Sequence, residues 1–198
     1  MSDYKTPFQK YFVFVGVFFV LIVAIFATWM RDQIAFDKLE AQAMQRFKHY
    51  KVYDRDTYLP QLKVASPNGK MVNIIDGQHY TVLNIWATWC APCVSELPSL
   101  SRLDYILSFE KKWRVIAVSI DNPKDVEKVI EFTKQRNLRE LAGYQDIHRE
   151  LQKAIKIKAV PMTLILDRNG KILYEIYGDA LWHESSIVSL LRHIDFTE

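Results

Sequence analysis

Hydrophobic and polar positions divide the chain into three stretches. From Tyr11 to Met30 there are 20 residues without a charge, and nearly all are large and apolar, including Phe12 to Val15 and Val17 to Val23. At about 1.5 Å per residue such a helix covers about 30 Å, the thickness of a bilayer's hydrocarbon core. Tyr11 and Trp29 sit where interfacial aromatics belong. A cleaved signal peptide would have a shorter apolar region, of about 7–15 residues, followed closely by a small-x-small site. The first such triplet here, Ala41-Gln42-Ala43, is too far downstream, so the expectation is a retained single-pass anchor. No third cysteine lies near it to carry a lipid.

Between residues 31 and 50 the apolar positions Phe36, Leu39, Ala43, Phe47 and Tyr50 recur at steps of three or four. That period predicts a helix, read as a solvated juxtamembrane stalk, with a self-association or docking face as the alternative. Tyr50 to Pro60 reads as a short polar linker. The expected layout is a short tail over 1–10, an anchor over 11–30, a juxtamembrane helix and linker over 31–60, and a folded domain over 61–198.

Beyond Gln61 the pattern alternates strands and helices. Leu62 to Ala65 and Met71 to Ile74 flank a Ser-Pro-Asn-Gly turn, which predicts a hairpin. Thr81 to Ala87 and Trp113 to Ile120 are short apolar runs of the kind that form buried strands. Residues 91 to 109 read as a helix that Pro98 should kink. Asn122-Pro123 opens another helix, with Asn122 as N-cap and Asp125 in capping-box position, running to about Arg136. Ile147 to Ile155 is a further predicted helix. Thr163 to Leu166 and Lys171 to Tyr177 form a hairpin around Asp167 to Gly170, and Ser185 to Ile194 closes the chain as a helix. The fold class is α/β, a mixed central sheet flanked by helices.

Composition narrows the function. Hydrophobic residues make up 49% and charged residues 25%, which excludes a disordered chain. A net charge of +3, from 26 bases and 23 acids, leaves no basic footprint for nucleic acid. Lys5 and Lys10 precede the anchor, whereas Arg31, Lys38, Arg46, Lys48 and Lys51 follow it. This count does not favour a cytoplasmic N-terminus, although large domains cross membranes regardless of such charges.

The chain has two cysteines, Cys90 and Cys93, in Trp89-Cys90-Ala91-Pro92-Cys93. Chance would give this spacing in roughly one chain in a hundred. The pair follows a buried strand and opens a helix. Cys90 at the helix N-terminus meets unpaired amides and the positive end of the helix dipole, both of which favour thiolate. Thiolate is the form that attacks disulfides, and Cys93 on the adjacent face can resolve the mixed disulfide. A structural zinc site needs four ligands, and His49, His79, His148, His183 and His193 show no paired spacing. An inert buried pair would not account for the helix-start placement. A dithiolate can also hold Cu(I), which keeps a copper-delivery module as an alternative. A disulfide oxidase or isomerase would use the same residues with electrons flowing the other way.

Asn84 to Cys93 (NIWATWCAPC), with Glu96 and Pro98 following and Val160-Pro161 further on, resembles the thioredoxin-like superfamily. Within it the chain is similar to the membrane-anchored TlpA/ResA branch of bacterial thiol–disulfide oxidoreductases, over about residues 58 to 190. The Cys93-to-Pro161 separation leaves room for that branch's extra strand–helix insert. The resemblance implies Cys90 as the exposed nucleophile, Cys93 as resolving thiol and Pro161 as a cis-proline that brings the Val160 backbone beside the disulfide to meet substrate. It places Glu96 among the acidic groups that such reductases keep near the site. Helix geometry sets Glu96 about 60° around from Cys93, and a solvated helix glutamate is the alternative. Asn84 stands where thioredoxin has a buried, titratable Asp, and Asn cannot titrate. Trp89 is expected to contact substrate or to pack at the rim. Trp182-His183 and Gly143-Tyr144 have no physical argument that places them at the site.

The resemblance further implies a single-pass protein of the bacterial inner membrane, with its domain in the periplasm or cell exterior, outweighing the charge count. It implies no cofactor beyond the cysteine pair. Its expected partners are disulfide-bearing proteins, such as apocytochrome c or a copper-site protein of a respiratory oxidase, and a transmembrane thiol reductant.

Overall fold

The computed structural model describes residues 7–53 and 56–196. The uncharged run forms part of one long helix, α1 (Pro7–Met44). Every side chain from Phe14 to Met30 is exposed, and this helix is long and apolar enough to cross a membrane. Lys5 lies outside the described residues, as do the side chains of Lys10, Tyr11, Phe12 and Val13. The chain divides after Ala41 into two compact units.

The second unit is built on one eight-stranded sheet in the order β1-β8-β7-β4-β5-β6-β2-β3. The strands are β1 (His49–Val52), β2 (Lys63–Ala65), β3 (Met71–Asn73), β4 (Tyr80–Trp86), β5 (Trp113–Ser119), β6 (Tyr144–Gln145), β7 (Met162–Leu166) and β8 (Ile172–Tyr177). β5 runs parallel to β4 and β6, while β7 is antiparallel to β4 and to β8. All seven residues of β4 are buried, as a strand covered on both faces requires. The helices are α2 (Ala91–Ser108), α3 (Val126–Gln135), α4 (Arg139–Ala142), α5 (Glu150–Ala154) and α6 (Ser185–Phe196). This is the expected α/β architecture with a mixed sheet.

Helix α2 crosses from β4 to β5. It buries Cys93, Glu96, Leu97, Leu100, Leu103 and Leu107, a single stripe at helical spacing. Burying each leucine is worth roughly 1.5–3 kcal/mol. Pro98 sits inside this helix without ending it. Its missing N–H leaves the Val94 carbonyl without the usual helical donor.

Several local expectations are corrected. Tyr50 to Pro60 is not simply a linker. Residues 49–52 form β1, which adds to the sheet through β8, and Tyr58 bridges to Lys171. The helical period of residues 31–50 ends at Met44. The helix expected from Ile147 begins only at Glu150, because Arg149 takes a left-handed φ of 56° and the Asp146 carboxylate accepts from the Leu151 and Gln152 amides. Asn122 does cap a helix start, accepting from Lys124 N, but the first turn is a 3-10 helix over Pro123–Asp125. Asp125 pairs with Lys128 rather than closing a capping box.

Candidate active site

The strand register brings two distant loops together. Ile85 on β4 pairs with Met162 on β7. β4 therefore runs into the turn before α2 at the point where antiparallel β7 begins. Residues 87–90 and Val160-Pro161 are neighbours for this reason. The Val160-Pro161 peptide is cis.

The turn before Cys90 is tied to the end of β5. Asp121 accepts from the Thr88 amide at 2.9 Å, from the Thr88 hydroxyl at 2.7 Å and from the Ser119 hydroxyl at 2.6 Å. Cys90 N donates to Ala87 O. Cys90 is then the N-cap of α2, with extended backbone angles, and its sulfur accepts from the Cys93 amide at 3.3 Å. Pro92 falls in the first turn, where its missing N–H leaves nothing unpaired.

Cys90 and Cys93 form a disulfide, with Cα atoms 5.2 Å apart. Cys90 is 6% exposed and Cys93 fully buried. Cys90 is thus less open than an exposed nucleophile was expected to be, yet it is the sulfur residue with access to solvent. Its Sγ lies 3.6 Å from the carbonyl oxygen of Val160. Trp89 beside it is 69% exposed.

Glu96 is not a solvated helix glutamate. It is 2% exposed and accepts three hydrogen bonds. Asn84 Nδ2 donates to Oε1 at 2.8 Å, while the Trp182 indole and the Ala180 amide donate to Oε2 at 2.9 and 3.2 Å. Burial pushes its carboxyl up to about 7, against the pull of these donors, and the nearby Asp179 charge adds to the rise. Asn84, fully buried, also donates to the Thr163 hydroxyl at 2.9 Å from its partner position on β7. The position that cannot titrate thus touches one that can. A cavity of about 340 Å³ lies beside Glu96, lined by Gln45, Arg46, Ser95, Asp179, Leu181 and Glu184.

The structure brings Cys90, Cys93, Val160 and Pro161 together, and assigns Glu96 a buried polar shell. Trp182, Ala180, Thr163 and Asp121 are additional neighbours that the sequence did not place. His183 lies with its Nδ1 3.0 Å from the Ser99 hydroxyl on α2. One signal for Glu96 was available, since the stripe of Cys93, Leu97 and Leu100 sets position 96 on a buried face.

A dithiol pair at a helix start, facing the loop before an antiparallel strand, defines a thioredoxin-like thiol–disulfide oxidoreductase. Residues 77–172 match the thioredoxin-like family pattern. The thiol–disulfide oxidoreductase ResA of Bacillus thuringiensis subsp. konkukian is 31% identical over 121 residues, covering 61% of this chain and 68% of that protein. ResA of Oceanobacillus iheyensis is 35% identical over 97 residues, covering 49% and 48%. Among solved structures, a thiol–disulfide oxidoreductase from Bacteroides fragilis superposes with a TM-score of 0.58 at 22% identity, over 70% of this chain and 99% of that one. StoA from Bacillus subtilis superposes with a TM-score of 0.56 at 22% identity, over 68% and 99%. The chain belongs to the ResA family of thiol–disulfide oxidoreductases, and its chemistry is dithiol–disulfide exchange.

Proposed function

We propose that this protein is a membrane-anchored, extracytoplasmic reductase of protein disulfides in which Cys90 attacks and Cys93 resolves. The observation that carries the assignment is the placement of Cys90 as N-cap of α2, its sulfur receiving the Cys93 amide, with Cys93 sealed behind it. That amide and the helix terminus favour thiolate at Cys90. The thiolate attacks one sulfur of the substrate disulfide and expels the other as thiolate. Cys93 then attacks Cys90 Sγ, the substrate's second sulfur leaves, and the Cys90–Cys93 disulfide forms. Two electrons pass to the substrate, and both protons from the cysteines end on its thiols.

Cys93, fully buried, must lose a proton before it attacks. In this reading Glu96 takes it, at Oε1. The indole and the Ala180 amide are donors only and hold Oε2 as an acceptor. Oε1 faces Asn84, whose amide can turn its oxygen toward a protonated carboxyl, and the Thr163 hydroxyl can serve either orientation. Asn84 Oδ1 has no partner when Nδ2 faces Glu96, which supports such a turn. The residues Trp89, Val160 and Pro161 are assigned to substrate contact. Exposure of the Trp89 ring and the proximity of Val160 O to Cys90 Sγ support this.

The apolar α1 supports a single-pass anchor in a bacterial inner membrane, with the second unit facing the periplasm or cell exterior. Family resemblance supports the reducing direction, clients among apocytochromes c or copper-site proteins of respiratory oxidases, and a transmembrane thiol carrier as reductant. The test is Cys93→Ser in the full chain. A mixed disulfide trapped through Cys90, absent from Cys90→Ser, is expected. Absence of both a trapped client and activity on a model disulfide would end the reading.

A further inference from the structure

Two of the three donors to Glu96, the Ala180 amide and the Trp182 indole, come from the segment between β8 and α6. That segment is gripped by residues 46–48. Lys48 Nζ pairs with Asp179 Oδ1 at 2.7 Å, near its start. Phe47, a buried residue, packs its ring on Trp182 with centroids 5.2 Å apart. Arg46 Nε pairs with Glu184 Oε2 at 2.9 Å, at its far end. Three consecutive residues thus hold three successive points of one segment. Exposed ion pairs contribute little to stability by themselves. Their arrangement around the partners of a buried carboxylate points to orientation of those partners.

We propose that Arg46, Phe47 and Lys48 are positioning residues for thiol–disulfide exchange, fixing residues 179–184 so that the Ala180 amide and the Trp182 indole meet Glu96. This rests on the proton-accepting role of Glu96. Their side chains engage Asp179, Trp182 and Glu184, so each acts through the loop. Among the described residues, the charged and titratable groups around Glu96 are Cys93 on its own helix, a thiol once the disulfide is reduced, Asp179, offset by Lys48, Glu184, offset by Arg46, and His183, which faces Ser99 on α2. The sheet contributes the uncharged Asn84 and Thr163.

Both ends of the grip act with the same sign. Phe47→Ala lets the Trp182 indole leave Glu96 and removes a donor that favours the ionised carboxylate, which strengthens the hold on its proton. Lys48→Ala leaves the Asp179 charge unopposed, which strengthens the hold on that proton. The reaction of the reduced full-length protein in detergent with dithiobis(nitrobenzoate) separates the steps, because the second thiolate is released only when Cys93 resolves. The rate of that second release, followed against pH, is expected to show an inflection above the ordinary carboxylate range in the parent protein and none in Glu96→Gln. Phe47→Ala should raise the inflection by about one pH unit and Lys48→Ala by a few tenths, whereas a fall in Phe47→Ala, the mark of a pocket merely opened to water, overturns the positioning role. Thermal midpoints recorded alongside separate this effect from loss of fold. If Phe47→Ala does not fold, Lys48→Ala and Arg46→Ala, both at the surface, decide the matter by whether the inflection moves. Inflections unmoved in the variants, with Glu96→Gln still abolishing the parental one, overturn the positioning role and leave Glu96 in place. A parental profile without a Glu96-dependent inflection overturns the role of Glu96, and the proposal with it.

Discussion

The indole nitrogen of Trp182 lies 2.9 Å from Oε2 of Glu96, across 86 positions of sequence, and both side chains are buried. An N–H donor favours the ionised carboxylate. Trp182→Phe keeps a ring against Phe47 and removes only the donor. Glu96 should then hold its proton more tightly, and the pH inflection of Cys93 resolution should rise by about one pH unit. A rise separates loss of this bond from simple loosening of the pocket, which would let water in and lower the inflection.

Glu96 also makes stability depend on pH. Its native proton affinity, near 7, is above the ordinary value of 4.5. Below about pH 4.5 both native and unfolded states are protonated and the group contributes no penalty. Between about pH 4.5 and about pH 7 the unfolded chain releases the proton while the native state keeps it, so stability falls as pH rises. The loss is complete above 7 and amounts to at most about 3 kcal/mol. Glu96→Gln should lack this decline, and urea midpoints of the oxidised protein across the window would show it.

Asp76 works in the opposite direction. Burial alone would raise its carboxyl, but the Gln78 amide, the ring and amide of His79 and the Arg114 guanidinium hold it at about 2. Its stabilising effect is present above the ordinary value of 3.8 and is lost as pH falls toward 2. Asp76→Asn should therefore lower stability at neutral pH and flatten the acid limb of the unfolding curve. Circular dichroism during acid titration of the two proteins measures the difference.

Gly170 closes the β7–β8 hairpin with a φ of 86°. A Cβ added there would run into the Ile75 side chain and meet Leu59 O at 3.3 Å. Gly170→Ala combines an unfavourable backbone with a clash against the core and should destabilise by about 1–3 kcal/mol. The turn is remote in sequence from the cysteines, so the disulfide's equilibrium with glutathione should stay at the parental value while the urea midpoint drops.

What the sequence made legible follows a physical division. β4, β5, β7 and β8 carry dense apolar runs, and each was placed within a residue or two. The Cys90–Cys93 spacing after β4 located the redox pair. β1 was missed because all four of its residues are exposed and show no alternation. α4 and β6 are shorter than one helical or strand period can reveal. The partners of Glu96 were hidden for another reason. Trp182 and Ala180 reach it through tertiary packing, and nothing in a local pattern links position 96 to position 182. Asn84 showed that the thioredoxin arrangement had changed, but only the structure shows the carboxylate that its amide contacts.

β1 is the outermost strand beside β8, pairing His49 through Val52 with Tyr177 through Tyr174. A shortened fragment starting at Gln61 would strip this cover and leave a row of bare backbone amides and carbonyls along β8. Such a ragged border is a template for zippering onto a second molecule. Trimming that preserves Gln42 onward keeps β8 covered and leaves the short β1, with Lys51 on it, as the border.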